Sequence, residues 1–186
     1  NEELYSKLST GGITVDVIIP SDYMIARMIN EDMLLELDVD NIPNYANVID
    51  TYKDQAYDPE NKYSVPYTWG TVGIVYNSQF VDEADVTGWD LLWNEKYKGQ
   101  ILMFDNSRDA FGIAQYKLDI DVNTTDKAEL QLCADELAKQ RPLVQQYVMD
   151  QVYEKMIGGN AWIAPYYAGD AMMMMAENPD LRFYLP

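Results

Sequence analysis

Apolar and polar residues follow two different spacings along this chain, and the change from one to the other outlines its elements. Apolar residues that recur every three to four positions predict helices, and short runs of β-branched and aromatic residues predict buried strands. The predicted helices cover residues 2–9, 22–30, 87–93, 107–118, a segment from 126, 143–157 and 169–177. The predicted strands cover residues 14–19, 70–76, 100–104, 161–164 and 181–185. Because strands alternate with helices, we predict an α/β fold with a mostly parallel sheet.

The stretch SVPYTWGTVGIVYN at residues 64–77 changes character in its middle. The first half, which ends at Trp69, contains a proline and two aromatic residues but no core pattern. The second half, from Gly70, is an apolar run that predicts a core strand. Residues 39–62 predict an irregular connection, because they are rich in Asn, Asp, Pro and Tyr. The pattern raises the question of why an aromatic, partly polar segment leads directly into a core strand.

Composition and charge restrict the classes of partner. The 186 residues are long enough for one large or two small domains, and a hydrophobic content of 48% is sufficient for a core. Thirteen basic residues against 31 acidic ones give a net charge of −18. Nucleic acid and anionic membrane surfaces require a basic face, so we expect neither as a partner. The acidity is compatible with a cationic partner and equally with a role in solubility.

The residue types that are absent restrict the chemistry. There is no histidine and only one cysteine, Cys133, which lies in a helical pattern typical of a buried thiol. Zinc and blue-copper sites and Ser-His-Asp or Cys-His pairs are therefore not expected, and phosphate-binding glycine motifs are missing. Four consecutive methionines at 172–175 are interpreted as core and helix filler and not as a metal site. We predict no metal, no cofactor and no enzymatic activity.

Three segments that follow predicted strands are candidate ligand positions, because ligands of α/β sheets bind beyond the carboxyl ends of strands. These segments are residues 21–23, 105–109 and 166–170. Asp105 and Asn106 fit helix capping, and a first-turn carboxylate such as Asp109 is also favoured by the helix dipole. Tyrosines could be core residues, or flat walls that attract an ammonium group by about 0.5–2 kcal/mol. The residues alone leave these alternatives open.

Several longer motifs resemble the extracytoplasmic polyamine-binding proteins of ABC transporters, the spermidine/putrescine-binding family. They are DVIIPSDYMI (16–25), YSVPYTWGTVGIVYN (63–77), VTGWDLLWNEKYKGQILMFDNSRDAF (86–111), NTTDKAEL (123–130) and GNAWIAPYYAGDAM (159–172). The resemblance implies a two-lobed, type II periplasmic-binding-protein-like fold, of which this chain holds one nearly complete lobe and part of the other. Residues 1–65 would belong to lobe one and 66–186 to lobe two. Residues 64–70 would then be the hinge crossover, which answers the question raised above.

The resemblance also implies a set of ligand-binding residues. They are Ser21, Tyr23, Trp69, Asn106, Asp109 and Tyr167. Asp109 would meet a ligand ammonium with a side chain shorter than the glutamate expected in the family. Asn106 occupies the position of another family acid, so one negative charge is lost. Tyr167 would stack on the methylene chain where tryptophan is the commoner choice.

From this resemblance we expect a protein outside the cytoplasm, either periplasmic or lipoprotein-anchored at the outer face of the cell membrane. It would capture spermidine or putrescine between its two lobes and deliver the ligand to the membrane permease of an ABC transporter. One alternative is a binding protein for another small cationic solute, which the neutral Asn106 suggests. A second is a carboxylate-dependent hydrolase that uses Asp105 and Asp109, and a third is a purely structural interaction domain.

The ends of the sequence suggest a piece of a longer chain, since NEELYSKL is typical of the middle of a helix and LRFYLP of a strand. We therefore expect residues 1–65 to self-associate with a second copy or to pack loosely, because their sheet would have unpaired edges. Residues 66–186 are expected to fold on their own.

Overall fold

Two units make up the chain in the computed structural model, which describes residues 1–186. The first is Asn1–Trp69 and the second is Gly70–Pro186. They differ in how they bury apolar side chains. Among fully buried apolar residues, only Met24 and Met28 belong to the first unit, and all the others lie in the second. The hydrophobic core is therefore a property of the second unit.

The first unit is built from two helices and three short 3-10 turns. Helix α1 is Glu2–Ser9 and helix α2 is Asp22–Asn30, and the 3-10 turns are Val39–Asn41, Pro43–Asn47 and Asp50–Tyr52. Polar contacts join α1 to α2: the Tyr5 hydroxyl donates to Glu31 at 2.6 Å, and the Arg27 guanidinium lies 3.7 Å from the Tyr5 ring centre. Arg27 also donates to Glu31 at 2.9 Å.

The strand predicted at 14–19 is wrong for this structure. The segment forms no ladder, and the Val17 side chain is 80% exposed. All five strands of the chain lie in the second unit, so this segment has no strand to pair with. An apolar run of β-branched residues fits a half-buried strand, but it forms one only when a neighbouring strand supplies backbone hydrogen-bond partners.

A buried carboxylate organises the end of the first unit. Asp58 is 3% exposed and accepts hydrogen bonds from the backbone N–H groups of Lys62 (3.0 Å), Tyr63 (3.0 Å) and Ser64 (2.9 Å). The Ser64 hydroxyl donates a fourth at 2.8 Å. Four donors satisfy a charge that would otherwise be costly to bury. Asp58 therefore fixes the backbone from which the aromatic segment at 64–69 departs.

The second unit contains a mixed five-stranded sheet in the order β3-β2-β4-β1-β5. The strands are β1 Val72–Asn77, β2 Ile101–Phe104, β3 Val144–Val148, β4 Ile163–Tyr167 and β5 Leu181–Tyr184. Strand β2 is parallel to β3 and β4, whereas β1 is antiparallel to β4 and β5. The α/β prediction is confirmed. Four of the five strands run in the same direction, as the prediction of a mostly parallel sheet requires, and only β1, which inserts between β4 and β5, runs in the opposite direction.

Strands β1 and β5 approach closely at Gly73. A Cβ atom there would lie 2.4 Å from the Phe183 ring and 2.6 Å from the Tyr184 carbonyl oxygen. Only glycine leaves room for the Phe183 ring to pack over β1.

Helices cover the sheet. They are α3 Ser107–Leu118, α4 Lys127–Gln140, α5 Gln151–Ile157 and α6 Ala168–Glu177. Residues 87–93 form a short 3-10 helix, Trp89–Trp93, instead of an α-helix. The single helix predicted at 143–157 is wrong: its first part pairs with β2 as strand β3, and only its second part, α5, is helical. None of the helices has the length and hydrophobicity needed to cross a lipid bilayer.

The methionine run in α6 is divided between two environments. Met174 is completely buried and Met175 packs against the core, but Met172 and Met173 are 61% and 59% exposed. The interpretation of this run as core and helix filler is therefore correct as to the helix for all four residues, and as to the core only for Met174 and Met175.

Candidate ligand-binding site

One edge of the sheet in the second unit brings candidate residues together. Strands β2 and β4 are parallel neighbours, so their carboxyl ends, at Phe104 and Tyr167, lie at the same edge. Strand β1 runs the other way, and its first residue, Val72, is opposite Tyr167. The chain that leaves β2 turns directly into α3. Side chains at the start of α3 therefore lie beside the end of β4.

Asp109 is the centre of a hydrogen-bonded cluster at this edge. The Tyr167 hydroxyl donates to its Oδ2 atom at 2.7 Å, and the Asn106 Nδ2 atom donates to the same oxygen at 3.1 Å. The Asn106 Oδ1 atom accepts from the Arg108 backbone N–H at 2.9 Å and so caps α3. Asn106 is buried, with 7% exposure. The structure thus brings together three predicted site residues that lie up to 61 positions apart in the sequence.

The beginning of α3 explains why these residue types occur in this order. Asn106 has extended backbone geometry and satisfies one of the free N–H groups of the first turn. Asp109 lies in that first turn, where the helix dipole favours a negative charge. Asp105 is exposed and precedes the cap. The capping role considered for Asp105 therefore belongs to Asn106 alone.

Aromatic rings surround the Tyr167 side of the cluster. The Tyr167 ring centre lies 5.5 Å from that of Phe104 and 5.4 Å from that of Tyr166. Burial, followed by the nearby charges of Asp170 and Asp150, raises the pKa of Tyr166 to about 12, so this phenol stays neutral at ordinary pH. Sequence reasoning missed Phe104, although its position at the end of the predicted strand 100–104 was an available signal. Tyr166 lay in the candidate segment 166–170 but was not singled out as a site residue.

A recess of about 430 Å³ borders the same cluster. Asn106 forms part of its wall, together with the apolar rings of Phe104 and Phe111 and the charged side chains of Asp105 and Arg141. The region around Asp109 therefore combines a held carboxylate, aromatic rings and an open recess.

The remaining candidates belong to the first unit and are described by themselves. Ser21 precedes α2, and its backbone N–H and its hydroxyl both bond to the Asn1 side chain at 2.9 Å. The Tyr23 hydroxyl donates to Glu2 at 2.9 Å. Trp69 is 68% exposed, and its ring centre lies 5.6 Å from that of Tyr52.

The groups at the Asp109 cluster are suited to binding. A carboxylate held by a phenol and an amide can accept a further hydrogen bond from an ammonium group, and charge-assisted bonds of this kind are strong. The thiol of Cys133 is buried, and burial together with Glu129 raises its pKa, which disfavours the nucleophilic thiolate. No three carboxylate or thiol side chains lie close enough together to hold a metal ion.

Comparison with known sequences gives a family for the chain. A profile of the family described as "Bacterial extracellular solute-binding protein" matches residues 13–186. The chain is 33% identical over 174 residues to the spermidine/putrescine-binding periplasmic protein of Escherichia coli K12, which covers 93% of this chain and 50% of that protein. It is 29% identical over 182 residues to the putrescine/cadaverine-binding protein of Pseudomonas aeruginosa, with 95% of this chain and 51% of that protein covered. The chain thus spans about half the length of these relatives.

Solved structures agree with this result. The spermidine/putrescine ABC transporter substrate-binding protein of Streptococcus pneumoniae matches with a TM-score of 0.74 and 39% identity, over 100% of this chain and 57% of that one. The TpPotD lipoprotein of Treponema pallidum matches with a TM-score of 0.85 and 26% identity, over 100% of this chain and 59% of that one. These neighbours are two-lobed solute-binding proteins and not enzymes. The resemblance inferred from the sequence motifs is confirmed.

Proposed function

Because the chain belongs to the family of bacterial extracellular solute-binding proteins, we propose that it is part of a protein that binds spermidine or putrescine outside the cytoplasm. The protein would deliver this ligand to the membrane permease of an ABC transporter. It would be periplasmic or lipoprotein-anchored. The observation that carries the proposal is the Asp109 carboxylate, which Tyr167 and Asn106 hold at the edge of the sheet.

The chemistry of a polyamine fits this cluster. Each end of the ligand is an ammonium group that needs a carboxylate, and its methylene chain gains about 0.8 kcal/mol per buried CH₂ group. Asp109 supplies the carboxylate, and the rings of Tyr167 and Phe104 supply apolar and cation-attracting surface. The net charge of −18 would also increase the rate at which a polycation associates.

We extend the proposal to the first unit, where Ser21, Tyr23 and Trp69 are expected to contribute ligand contacts in the full-length protein. Residues 1–65 are assigned to lobe one and 66–186 to lobe two, with the hinge at 64–70. A chain limited to residues 1–186 is expected to self-associate through its first unit, where the apolar segment at 14–19 is exposed.

Titration calorimetry with putrescine and spermidine tests the proposal, on this chain and on a version extended to the full length of its relatives. Asp109→Asn should weaken binding by the extended protein about 10- to 100-fold, because a charge-assisted hydrogen bond is lost. Asp135→Asn, on the exposed face of α4, is the matched control and should bind like the unmodified protein. Absence of polyamine binding by the extended protein would refute the function, and unchanged binding by Asp109→Asn would refute the site.

A second candidate within the same family is a different small cationic solute. The observation in its favour is that Asn106, beside Asp109, is a neutral amide. Relatives in Pseudomonas aeruginosa carry the names putrescine/cadaverine-binding and putrescine/agmatine-binding protein. Cadaverine and agmatine in the same titrations would distinguish this candidate, which predicts tighter binding of one of them than of putrescine or spermidine.

A further inference from the structure

We propose that Asn106 is a positioning residue for the Asp109 carboxylate and not a ligand contact, and that it adds no charge of its own to the hydrogen-bonded cluster with Asp109 and Tyr167. The inference rests on the proposed function for its ligand but not for its geometry. Asn106 acts on the ligand through Asp109, to which its side chain is hydrogen bonded.

Both ends of the Asn106 side chain are already in use. Its Oδ1 atom accepts from the Arg108 N–H at 2.9 Å, and its Nδ2 atom donates to Asp109 Oδ2 at 3.1 Å. The residue borders the recess but is only 7% exposed, so protein covers most of it. One residue must therefore accept as a cap and donate to a carboxylate. Among the residues that cap helices well, only asparagine has both an acceptor and an amide donor on a short side chain.

The second donor to Asp109 acts on the same atom. Tyr167 and Asn106 both donate to Oδ2, at 2.7 Å and 3.1 Å. Tyr167 lies at the end of β4, and Asn106 lies at the start of α3. Two donors on one oxygen fix the plane of the carboxylate. The Tyr167 ring is fixed by the same bond, so the charge and the aromatic wall are positioned together. Such preorganisation reduces the ordering cost of binding.

The neutral amide also sets the number of charges. An aspartate at position 106 could still cap α3, but it would place a second carboxylate about 3 Å from Asp109, and like charges at that distance disfavour each other. With Asn106 the hydrogen-bonded cluster presents one carboxylate, that of Asp109, in a defined orientation. An additional ammonium group on the ligand therefore gains little from this cluster.

The test compares Asn106→Ser with Asn106→Asp in the extended protein. Both replacements keep a helix cap, so both should retain the melting temperature to within a few degrees. Asn106→Ser keeps an acceptor for the cap but replaces the amide donor to Asp109 by a shorter hydroxyl, and it should weaken putrescine and spermidine binding equally, by about tenfold. Asn106→Asp adds a charge and should shift the ratio of the two affinities towards spermidine, by about tenfold. A change of the ratio in Asn106→Ser would instead identify Asn106 as a direct contact, and unchanged affinities in that variant would overturn the positioning role.

A double-mutant cycle with Tyr167→Phe examines the shared oxygen. Because both donors act on Oδ2, the losses in Asn106→Ser and Tyr167→Phe should be non-additive, with the double variant differing from the product of the single effects by at least about threefold. If the fold-loss of affinity in the double variant equals the product of the two single losses, the common action through Asp109 is refuted.

A ligand-free measurement separates this inference from the proposed function. In NMR spectra of the unliganded chain, the Asn106 side-chain amide protons should exchange slowly and should shift in both Asp109→Asn and Tyr167→Phe, but not in the control Asp135→Asn. If the extended protein binds no polyamine while these shifts occur, the function fails and the positioning role stands. If the amide exchanges rapidly and does not respond, the positioning role fails whatever the ligand is.

Discussion

Different forces stabilise the two units of this chain internally. In the second unit, helices pack on a five-stranded sheet, and strand residues such as Ile74 and Val75 are completely buried. The first unit buries little apolar surface beyond Met24 and Met28, and hydrogen bonds to Glu31 and Asp58 organise it. Hydrophobic burial is the dominant favourable term in folding, whereas exposed polar contacts contribute little. Most of the stability of the chain therefore comes from the second unit, which carries Asp109.

The largest expected effect is in hydrogen exchange. Amides of β1 and β4 should exchange only through global unfolding, and amides of α1 and α2 should exchange through local opening, at rates at least about 1,000-fold faster. A chain of residues 70–186 alone should retain the exchange pattern of β1 and β4. Uniformly slow exchange across both units, measured by NMR, would contradict the claim that most of the stability comes from the second unit.

Two valines of the same size make the comparison quantitative. Val75 is completely buried in β1, whereas Val17 in the first unit is mostly exposed. Val75→Ala should lower the free energy of unfolding by roughly 2–3 kcal/mol, since two methyl groups leave a closely packed core. Val17→Ala should change it by less than about 0.5 kcal/mol. Urea unfolding followed by circular dichroism measures both, and similar losses would show that the first unit has a core as well.

Two glycines offer a second matched pair, with a smaller expected effect. Gly73→Ala should cost about 1–3 kcal/mol, because the added Cβ meets the Phe183 ring and the Tyr184 carbonyl. At Gly70 a Cβ has open space around it, and Gly70→Ala should be close to neutral in the same urea experiment. A neutral Gly73→Ala would mean that β5 moves away from β1 without a cost.

Acidification should affect the first unit through Glu31. The hydrogen bond from Tyr5, and then that from Arg27, hold the pKa of this carboxyl below its usual 4.5. A depressed pKa in the folded state means that the contribution is present above pH 4.5 and is lost as the pH falls through the folded value. Glu31→Gln should therefore speed amide exchange in α1 at pH 7, and this difference from the unmodified chain should shrink steadily as the pH is lowered below 4.5. The exposed Asp16 supplies the control Asp16→Asn, and a difference that does not shrink on acidification would refute the assignment.

The sequence predicted the helices and strands of the second unit well, because their apolar spacing coincides with burial in one core. Two failures have the same physical origin. Residues 14–19 have the composition of a strand but no partner strand in this chain, and residues 144–148 were assigned to a helix although β2 is available for pairing. Pairing depends on what another segment supplies, which local spacing does not record.

The candidate site was predictable in part for a related reason. Asn106, Asp109 and Tyr167 lie in segments that follow predicted strands, which is a local signal, but only the family resemblance implied ligand-binding roles for them. The hydrogen bond between Tyr167 and Asp109 depends on β2 and β4 being parallel neighbours, and the sequence does not specify that order. The roles of the six predicted residues in ligand binding stay predictions until the titrations are made.

Within one helix, the methionine run exposes the thioethers of Met172 and Met173 to solvent and buries that of Met174. Hydrogen peroxide can transfer one oxygen atom to an exposed thioether, which becomes a sulfoxide while water is released. Met172 and Met173 should take up oxygen first, and peptide mass spectrometry should find Met174 unmodified for as long as the protein stays folded. Sulfoxide formation at the first pair leaves the packing of α6 intact, whereas the same reaction at Met174 would place a polar group in the core. The order of oxidation along four identical residues therefore reports whether α6 stays packed against the core of the second unit.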